Sequence, residues 1–438
     1  MTVAPEASAT SLAGQAWLAD PRLQAVFDAL ETAGGEARVA GGAVRDALLG
    51  KPVREVDIAT TLTPQQVIAA TTRAGLKAVA TGMEHGTVTV VSASDAGPLA
   101  VEVTTLRLDV ETFGRHARVA FTTDWIEDAR RRDFTINALY CDRHGTVFDP
   151  LEGMDDLRAG RVRFVGDPAH RIREDYLRIL RFFRFSAVHS GGRLDEDGLD
   201  ACTRLQAGLD KLSRERVRDE TLRLLTAPAA SQVLRVMQET GILAHVLPGP
   251  ANIECLSRMA AIDETNGLEP DAILRLAALS LDGIPVDTLR EAMVLTNAET
   301  RRLAGLADAV RSVHSPHDEP RLRKFLYRQG RQRYVDAIRL RWARSSTTGK
   351  SDQVWRSALR LPDRWQPPDL PVSGSDVTAL GVPEGPAVGR ILRAFEDWWM
   401  ETGFPDDPSL VHKRLVELAE HEQEPSEAWD PPSPRTPA

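Results

Sequence analysis

VAGGAVRDALLG, residues 39–50, is followed directly by KPVREVDIATT, residues 51–61, and these two stretches decide the fold prediction. A short apolar run enters Gly41-Gly42, and a helical pattern begins after it. A glycine turn before a helix leaves backbone N–H groups free, and such groups favour phosphate. Arg45 lies one turn into this helix. We therefore expect a phosphate-binding turn here, although paired glycines also occur in ordinary tight turns.

Two carboxylates follow this helical pattern, 13 and 15 residues after Gly42. Glu55 and Asp57 are separated by one residue, so on a strand they would point to the same face. Carboxylate oxygens are the ligands that Mg²⁺ prefers, and paired acids of this kind hold the metal ions of two-metal polymerase sites. The pattern therefore predicts Glu55 and Asp57 as metal ligands. An exposed strand edge with alternating acids is the other interpretation.

The composition favours a folded protein without a membrane span. The chain has 438 residues, of which 42% are hydrophobic and 27% charged, so we expect two to four domains. No apolar stretch is long enough for a membrane span, and the N-terminus lacks a signal-peptide pattern, so we expect a cytoplasmic location. Three widely spaced cysteines without a CxxC motif argue against a disulfide framework or a zinc ribbon.

The distribution of β and helical patterns indicates an α+β protein. Within the first 150 residues, β-type runs at 38–40, 56–59, 86–91, 99–105 and 134–140 alternate with helical patterns such as 64–74. From about Arg171 onward, helical periodicity dominates. The sequence therefore predicts a mixed head followed by an all-α remainder.

The glycine turn and the paired acids resemble the DNA polymerase β-like nucleotidyltransferase superfamily. The longer match GGAVRDALLG…DIAT is similar to the class II tRNA nucleotidyltransferases and bacterial poly(A) polymerases. This resemblance implies a nucleotidyltransferase head with a mixed sheet and helices, then an all-α neck, body and tail. Most class II members have Asp at both carboxylate positions, whereas the first is Glu55 here. Glu can still ligate Mg²⁺, so we expect metal binding to be retained.

The resemblance also suggests domain boundaries. We expect an N-terminal extension at 1–24, the catalytic head at 25–150, and a neck at 151–226 with the helices for base recognition and RNA binding. A helical body and tail that bind tRNA would follow at 227–421, and a disordered tail at 422–438. PVSGSDVTALGVPEGPAVGRILRAFEDWW, residues 371–399, resembles the C-terminal signature of the tRNA enzymes.

DARRRDFTINALY, residues 128–140, matches the motif that ends the head in this family. The match implies that Arg132 binds the triphosphate and that Asp133 is a ribose ligand or a structural acid. A guanidinium can grip phosphate oxygens with two hydrogen bonds, which fits the first role. Glu102, in AVEVTTLR, is a candidate third acid of the metal site, with an exposed acid facing Arg107 as the alternative. Residues 108–120 resemble the mobile loop that controls nucleotide choice, or form an ordinary hairpin.

RIREDYLRILRFFRFSA, residues 171–187, predicts a buried amphipathic helix. Its charged residues recur every three positions: Asp175, Arg178, Arg181 and Arg184. An Asp175–Arg178 salt bridge within one helix is the simplest interpretation. The resemblance implies instead that this EDxxR helix recognises the Watson–Crick edges of CTP and ATP, with the four residues counted among the nucleotide-binding set. The segment 211–225 matches the family's neck helix.

A basic stretch at 321–344 carries nine Lys or Arg and the single acid Asp336, within a chain of net charge −9. We expect it to contact tRNA phosphates, with solvated arginines around a buried helix as the alternative.

The resemblance implies a Mg²⁺-dependent enzyme that adds CCA to a tRNA 3′ end from CTP and ATP. Poly(A) addition, CC-only addition and A-only addition remain alternatives, and a catalytically inactive RNA-binding module is the alternative of another class. We expect no membrane partner, and the oligomeric state is not predicted.

Overall fold

The computed structural model describes residues 7–94, 97–113, 116–313, 315–345 and 350–423. Its contacts divide the chain into two compact units, one ending at Leu303 and one beginning at Ala304. Strands β1 to β10 are Ala7–Ser11, Ala37–Ala40, Asp57–Thr60, Lys77–Gly82, Thr87–Ser92, Leu99–Thr105, Arg107–Phe113, His116–Phe121, Tyr140–Cys141 and Thr146–Phe148.

Helices interrupt the strands and then make up most of the rest of the described chain. Helices α1 to α10 are Pro21–Thr32, Gly42–Leu48, Pro64–Arg73, Trp125–Arg130, Gly153–Ala159, Pro168–Glu174, Leu177–His189, Glu196–Leu205, Arg214–Leu225 and Ala230–Glu239. Helices α11 to α20 are Ile253–Asn266, Ala272–Ser280, Val286–Ala292, Asn297–Ser312, Glu319–Arg344, Lys350–Leu359, Leu361–Arg364, Gly374–Ala379, Pro386–Glu401 and Pro408–Gln423. None of the described helices is long and apolar enough to cross a membrane. The predicted α+β class is confirmed.

The first unit contains an eight-stranded mixed sheet in the order β1-β10-β9-β2-β3-β6-β5-β4. β3 and β6 pair in parallel, with Asp57 opposite Glu102, and the other pairings in this sheet are antiparallel. Helices α1 and α3 pack on the sheet and bury an apolar layer with its central strands. The parallel register therefore places two carboxylates side by side.

Several sequence expectations need correction. Strand β1 belongs to the sheet, so part of the predicted N-terminal extension lies within the head. Residues 134–140 were expected to form a strand, but Phe134 makes an isolated bridge with Phe164, Thr135–Asn137 form a 3₁₀ turn, and the sheet pairing begins at Tyr140. The Asp133 side chain accepts hydrogen bonds from the Phe134 amide and from Asn137, and such local bonds compete with strand pairing.

Residues 108–120 lie mostly in an antiparallel hairpin of β7 and β8, and its tip at 114–115 is outside the described residues. The segment 171–187 is two helices rather than one, because Asp175 has extended backbone angles and its carboxylate accepts from the Leu177 amide. The predicted disordered tail begins within α20, and 424–438 lie outside the described residues.

In the second unit, α18, α19 and α20 enclose an apolar core around Phe395 and Trp399. Helix α15 contains the basic stretch and is kinked at Gly330, whose φ of 74° and ψ of 166° are not helical. Most of the basic side chains in α15 pair with acids of the same unit, including Arg328 with Asp397 at 2.9 Å and Lys324 with Glu401 at 2.8 Å. RNA contact by this stretch stays a prediction.

Candidate active site

One cleft of about 910 Å³ in the first unit contains every residue that the sequence singled out as catalytic or nucleotide-binding. They are Gly41, Gly42, Arg45, Glu55, Asp57, Glu102, Arg132, Asp133, Asp175, Arg178, Arg181 and Arg184. The residues come from strands β3 and β6, from helices α2 and α7, and from the connecting segments next to strands and helices, and residues of α9 line the same cleft. Their individual roles are predictions, but their convergence is a property of the fold.

The glycine turn brings the backbone close to an arginine. Gly41 precedes α2 with a φ of 71° and ψ of −116°, which disfavours a side chain. A Cβ at this position would lie 3.0 Å from Nη1 of Arg132. Helix α2 has only seven residues, so its dipole is small and the turn with its neighbouring arginines provides the positive potential.

Three carboxylates face the cleft next to this turn. Asp57 begins β3, whereas Glu55 lies in the segment before the strand, so the two acids are not on one strand as expected. Asp57 is exposed to the cleft, but the surrounding protein removes part of its water, and this desolvation raises its pKa to about 6. The charges of Glu102 and Glu55 add to the effect. Arg132 acts in the opposite direction. The acids therefore repel one another.

Repulsion among these acids indicates whether the site suits a metal ion. The charges of Glu55 and Glu102 contribute to the raised pKa of Asp57, so a divalent cation would stabilise these ionised acids, and oxygen ligands suit Mg²⁺. Within the described residues, no group of three or more His, Cys, Asp or Glu side chains is already gathered as a metal cage. Mg²⁺ sites commonly use one or two carboxylates with phosphate oxygens and water, so the residues fit such an ion.

A buried carboxylate that sequence reasoning missed holds the arginines of the RRD motif. Asp128 has a side chain that is 1% exposed, and it ion-pairs with Arg131 at 2.7 Å and Arg132 at 3.1 Å. The Tyr140 hydroxyl donates to the same carboxylate at 2.7 Å, and Arg132 Nε donates to that hydroxyl. Despite burial, the two arginines and Tyr140 lower the pKa of Asp128 to about 2. Asp128 therefore fixes the guanidinium of Arg132 beside the glycine turn.

Asp133 connects the head to α7. Its Oδ1 accepts from Asn137 Nδ2 at 2.9 Å, and its Oδ2 accepts from Arg181 Nε at 2.8 Å. Arg45 Nη1 donates to Asn137 Oδ1 at 2.6 Å, which extends this network to α2. Burial opposes ionisation, but Arg181 and Asn137 lower the pKa of Asp133 to about 2. The acid is ionised and already bonded, as both predicted roles require.

Asp175 and Arg178 do not form the salt bridge that the helical spacing suggested. Arg178 instead pairs with Glu174 and donates to the Arg171 carbonyl at 2.8 Å. Asp175 accepts from both terminal nitrogens of Arg216, at 3.2 and 2.6 Å. Because the helix breaks at Asp175, the two side chains point to different partners. Both still line the cleft, so each presents its own hydrogen-bonding group there.

Helix α9 supplies residues that the motif analysis did not name. Glu220 is 5% exposed and pairs with Arg184 Nε at 2.5 Å and Arg181 Nη1 at 3.6 Å. Arg216 and Arg223 of the same helix line the cleft. The neck-helix match indicated the element, but no spacing in α9 indicated which of its charged side chains face α7.

Comparison with known proteins places this site in a family. The profile described as "Poly A polymerase head domain" matches residues 37–163, and that described as "Probable RNA and SrmB- binding site of polymerase A" matches 193–253. The CCA tRNA nucleotidyltransferase 1, mitochondrial, of Mus musculus is 35% identical over 379 residues, which is 84% of each chain. The CCA-adding enzyme of Geobacillus stearothermophilus is 34% identical over 84% of this chain and 90% of its own.

A solved structure agrees with the sequence relatives. The crystal structure of the Bacillus stearothermophilus CCA-adding enzyme in complex with CTP is similar with a TM-score of 0.73 and 29% identity, and the match covers 92% of this chain and 98% of that one. The family predicted from the sequence is thereby confirmed. The chain belongs to the family of CCA-adding tRNA nucleotidyltransferases, with a head of the poly(A) polymerase type.

Proposed function

We propose that this chain adds C, C and A to the 3′ end of tRNA from CTP and ATP and releases pyrophosphate. Each addition forms a bond between the RNA 3′ oxygen and the α-phosphorus and breaks the bond between the α-phosphorus and the bridging oxygen. The observation that supports the proposal is one cleft that contains the acids, the arginines that could bind phosphate, and the candidate residues for base recognition. The CTP complex of a similar enzyme supports the same choice of substrate.

The contacts support a proposed role for each of these residues. Arg132 and Arg45 are held by buried or half-buried partners and would bind phosphate oxygens through directed guanidinium hydrogen bonds. Asp133 would orient the ribose or hold Arg181 and Asn137 in place. Asp175 offers an acceptor and Arg178 a donor fork to the base, a set that suits the amino-bearing bases cytosine and adenine. These residues bind and orient, which places the two reacting atoms together.

We propose Mg²⁺ as the cofactor, held by Glu55 and Asp57 with Glu102 as a neighbouring acid. When bound, the ion would polarise the attacking hydroxyl and neutralise charge on the leaving pyrophosphate. The carboxylates contribute the negative charge that retains it. Asp57→Ala should abolish incorporation, whereas Glu55→Asp should keep measurable activity, because it restores the more common acid of this family.

We also propose the domain roles: a catalytic head at 25–150, a neck at 151–226, and a tRNA-binding body and tail at 227–421. A cytoplasmic location is part of the proposal and is supported by three buried cysteine thiols.

The decisive experiment incubates purified protein with Mg²⁺, each nucleotide separately, and tRNA that ends before CCA, after one C, or after two. Product sequencing should show C added to the first two substrates and A to the third. Long A tracts would indicate a poly(A) polymerase, and C or A alone would indicate a partial enzyme. Asp57→Ala is the matched control, because it should abolish incorporation that depends on the proposed metal site. No incorporation by wild type would favour an inactive RNA-binding module.

A further inference from the structure

Helix α9 carries an arginine in the cleft that the network of ion pairs leaves free. Nine arginines line the cleft, and Arg223 is the one whose guanidinium has neither a hydrogen bond nor an ion pair within the described part of the chain. Its side chain is exposed, whereas Arg216 on the same helix is bonded to Asp175. A free guanidinium facing a cleft is available for a ligand anion.

The surroundings of Arg223 contain more positive than negative charge. Arg184 faces Glu220, yet burial and the nearby charges of Arg181 and Arg223 still lower the pKa of its guanidinium. The guanidiniums of Arg184, Arg181 and Arg45 surround the ring of Phe185 at 4.5, 5.4 and 5.4 Å. These three arginines pair with Glu220, Asp133 and Asp46, whereas Arg223 adds a positive charge that no carboxylate of the described residues balances.

A nearby histidine is influenced by some of the same positive charges. His189 lies at the end of α7, next to Phe185 with ring centroids 5.6 Å apart. Burial, followed by the charges of Arg45, Lys51 and Arg184, lowers the pKa of His189 to about 3. Burial is the largest cause, and the contributions of Arg45 and Arg184 show that the positive charge of these two cleft residues extends to the ring.

The position of Arg223 favours an RNA phosphate over the incoming base or its triphosphate. Seven residues separate it from Arg216, about 10 Å along α9, so it lies away from the base-recognition candidate Asp175. The triphosphate candidates Gly41 and Arg132 lie on the head, whereas Arg223 lies inside residues 193–253, which match the RNA-binding profile. The cleft of about 910 Å³ is near the upper end of the ~300–1,000 Å³ typical of ligand pockets, so it has room for an RNA end beside a nucleotide.

We propose that Arg223, assisted by Arg184, forms a subsite for a phosphodiester of the RNA 3′ end, separate from the site of the incoming triphosphate. This inference rests on the proposed function and adds a primer-binding residue to it. The subsite would hold the terminal nucleotides so that the 3′ hydroxyl reaches the acids at Asp57.

Arg223→Gln tests the subsite without disturbing a buried contact, and Arg223→Lys keeps the charge. Arg235→Gln is the matched control, since Arg235 is exposed and within the same profile but lines a different cavity. A lost charge-assisted contact at an exposed site should weaken binding of tRNA ending in CC about tenfold. The slope of log affinity against log salt should become shallower by about 0.7–0.9. The Michaelis constants for CTP and ATP should stay unchanged, and Arg223→Lys should restore most of the affinity and slope.

The RNA source can be separated from the triphosphate source. For the same tRNA shortened by several nucleotides at its 3′ end, wild type and Arg223→Gln should bind equally, because no phosphate reaches the cleft. A raised Michaelis constant for CTP and ATP with unchanged tRNA binding would assign Arg223 to the triphosphate and overturn the proposal. Equal losses in Arg223→Gln and Arg235→Gln would also overturn it. If wild type adds no nucleotide, the proposed function fails, whereas an active wild type with an indifferent Arg223→Gln refutes only the subsite.

Discussion

Replacing Asp57 by Asn should stabilise the metal-free protein while it abolishes nucleotide addition. The pKa of Asp57 is raised from its ordinary value of 3.8 to about 6. Loss of water around the carboxylate is the largest cause, and the charges of Glu102 and Glu55 follow. At about 1.4 kcal/mol per pKa unit this corresponds to about 3 kcal/mol. Because the side chain is exposed to the cleft, screening reduces the expected gain to about 1 kcal/mol.

The sign follows from proton binding. Between pH 3.8 and about 6 the folded protein binds more protons at Asp57 than the unfolded chain does, so this residue lowers stability as pH rises. The penalty is complete above about pH 6 and absent below the unfolded pKa. Asn carries no charge at any pH, so the benefit of the substitution should appear at neutral pH and vanish near pH 4.

The assay is thermal unfolding of wild type and Asp57→Asn in EDTA, at about pH 7.5 and about pH 4. A gain of about 1 kcal/mol should raise the midpoint by about 2 °C at the higher pH. Added Mg²⁺ should raise the midpoint of wild type but not of the variant, because ligand binding stabilises only a fold that binds it. Glu239→Gln, at an exposed helix end, is the control for removing a carboxylate.

A lower midpoint for Asp57→Asn at neutral pH, or the same change at both pH values, would refute the repulsion among these acids. Retained nucleotide incorporation by the same variant would refute the metal site itself.

Three further predictions concern the rest of the chain. Asp175→Ala or Arg178→Ala should admit UTP or GTP by about one to two powers of ten in competition assays with all four nucleotides, and an unchanged selectivity with a lower rate would make the pair scaffold. Asp128→Ala leaves two arginines without their buried partner, so it should lower the unfolding free energy by about 3–5 kcal/mol in urea titrations and raise the Michaelis constant for nucleotides. Tyr140→Phe removes one hydrogen bond and should cost only about 1 kcal/mol, and similar losses in both variants would contradict the central role of the carboxylate. Removing the charges of Arg328, Arg331 and Arg333 in α15 together should weaken tRNA binding and flatten its salt dependence. Unchanged binding would leave these arginines with only their partners inside their own unit, which are Asp397, Asp363 and Gln329.

The motifs that line the cleft could be recognised from residue types and local spacing alone. The glycine pair, the acids at 55 and 57, the RRDFTINAL stretch and the EDxxR stretch are short segments, and their chemistry depends on residue type and local spacing. Local spacing also predicted the change from a mixed head to helices. Resemblance over the first half of the chain then identified the family, because these segments are specific as a set.

Which charged groups pair could be seen only in the tertiary structure. Helical periodicity relates a residue to neighbours three or four positions away, so it suggested an Asp175–Arg178 bridge. Asp175 instead ends one helix and reaches Arg216, 41 positions along the chain, and Glu220 lies 36 positions from Arg184. Such pairs depend on how α7 and α9 pack, and in a chain with 54 Lys and Arg no local pattern marks the ones that will meet an acid. Burial is the first cause of the raised pKa of Asp57, and Glu102 adds to it because the parallel pairing of β3 and β6 brings this acid beside Asp57. Both causes depend on positions in space, which local sequence does not show.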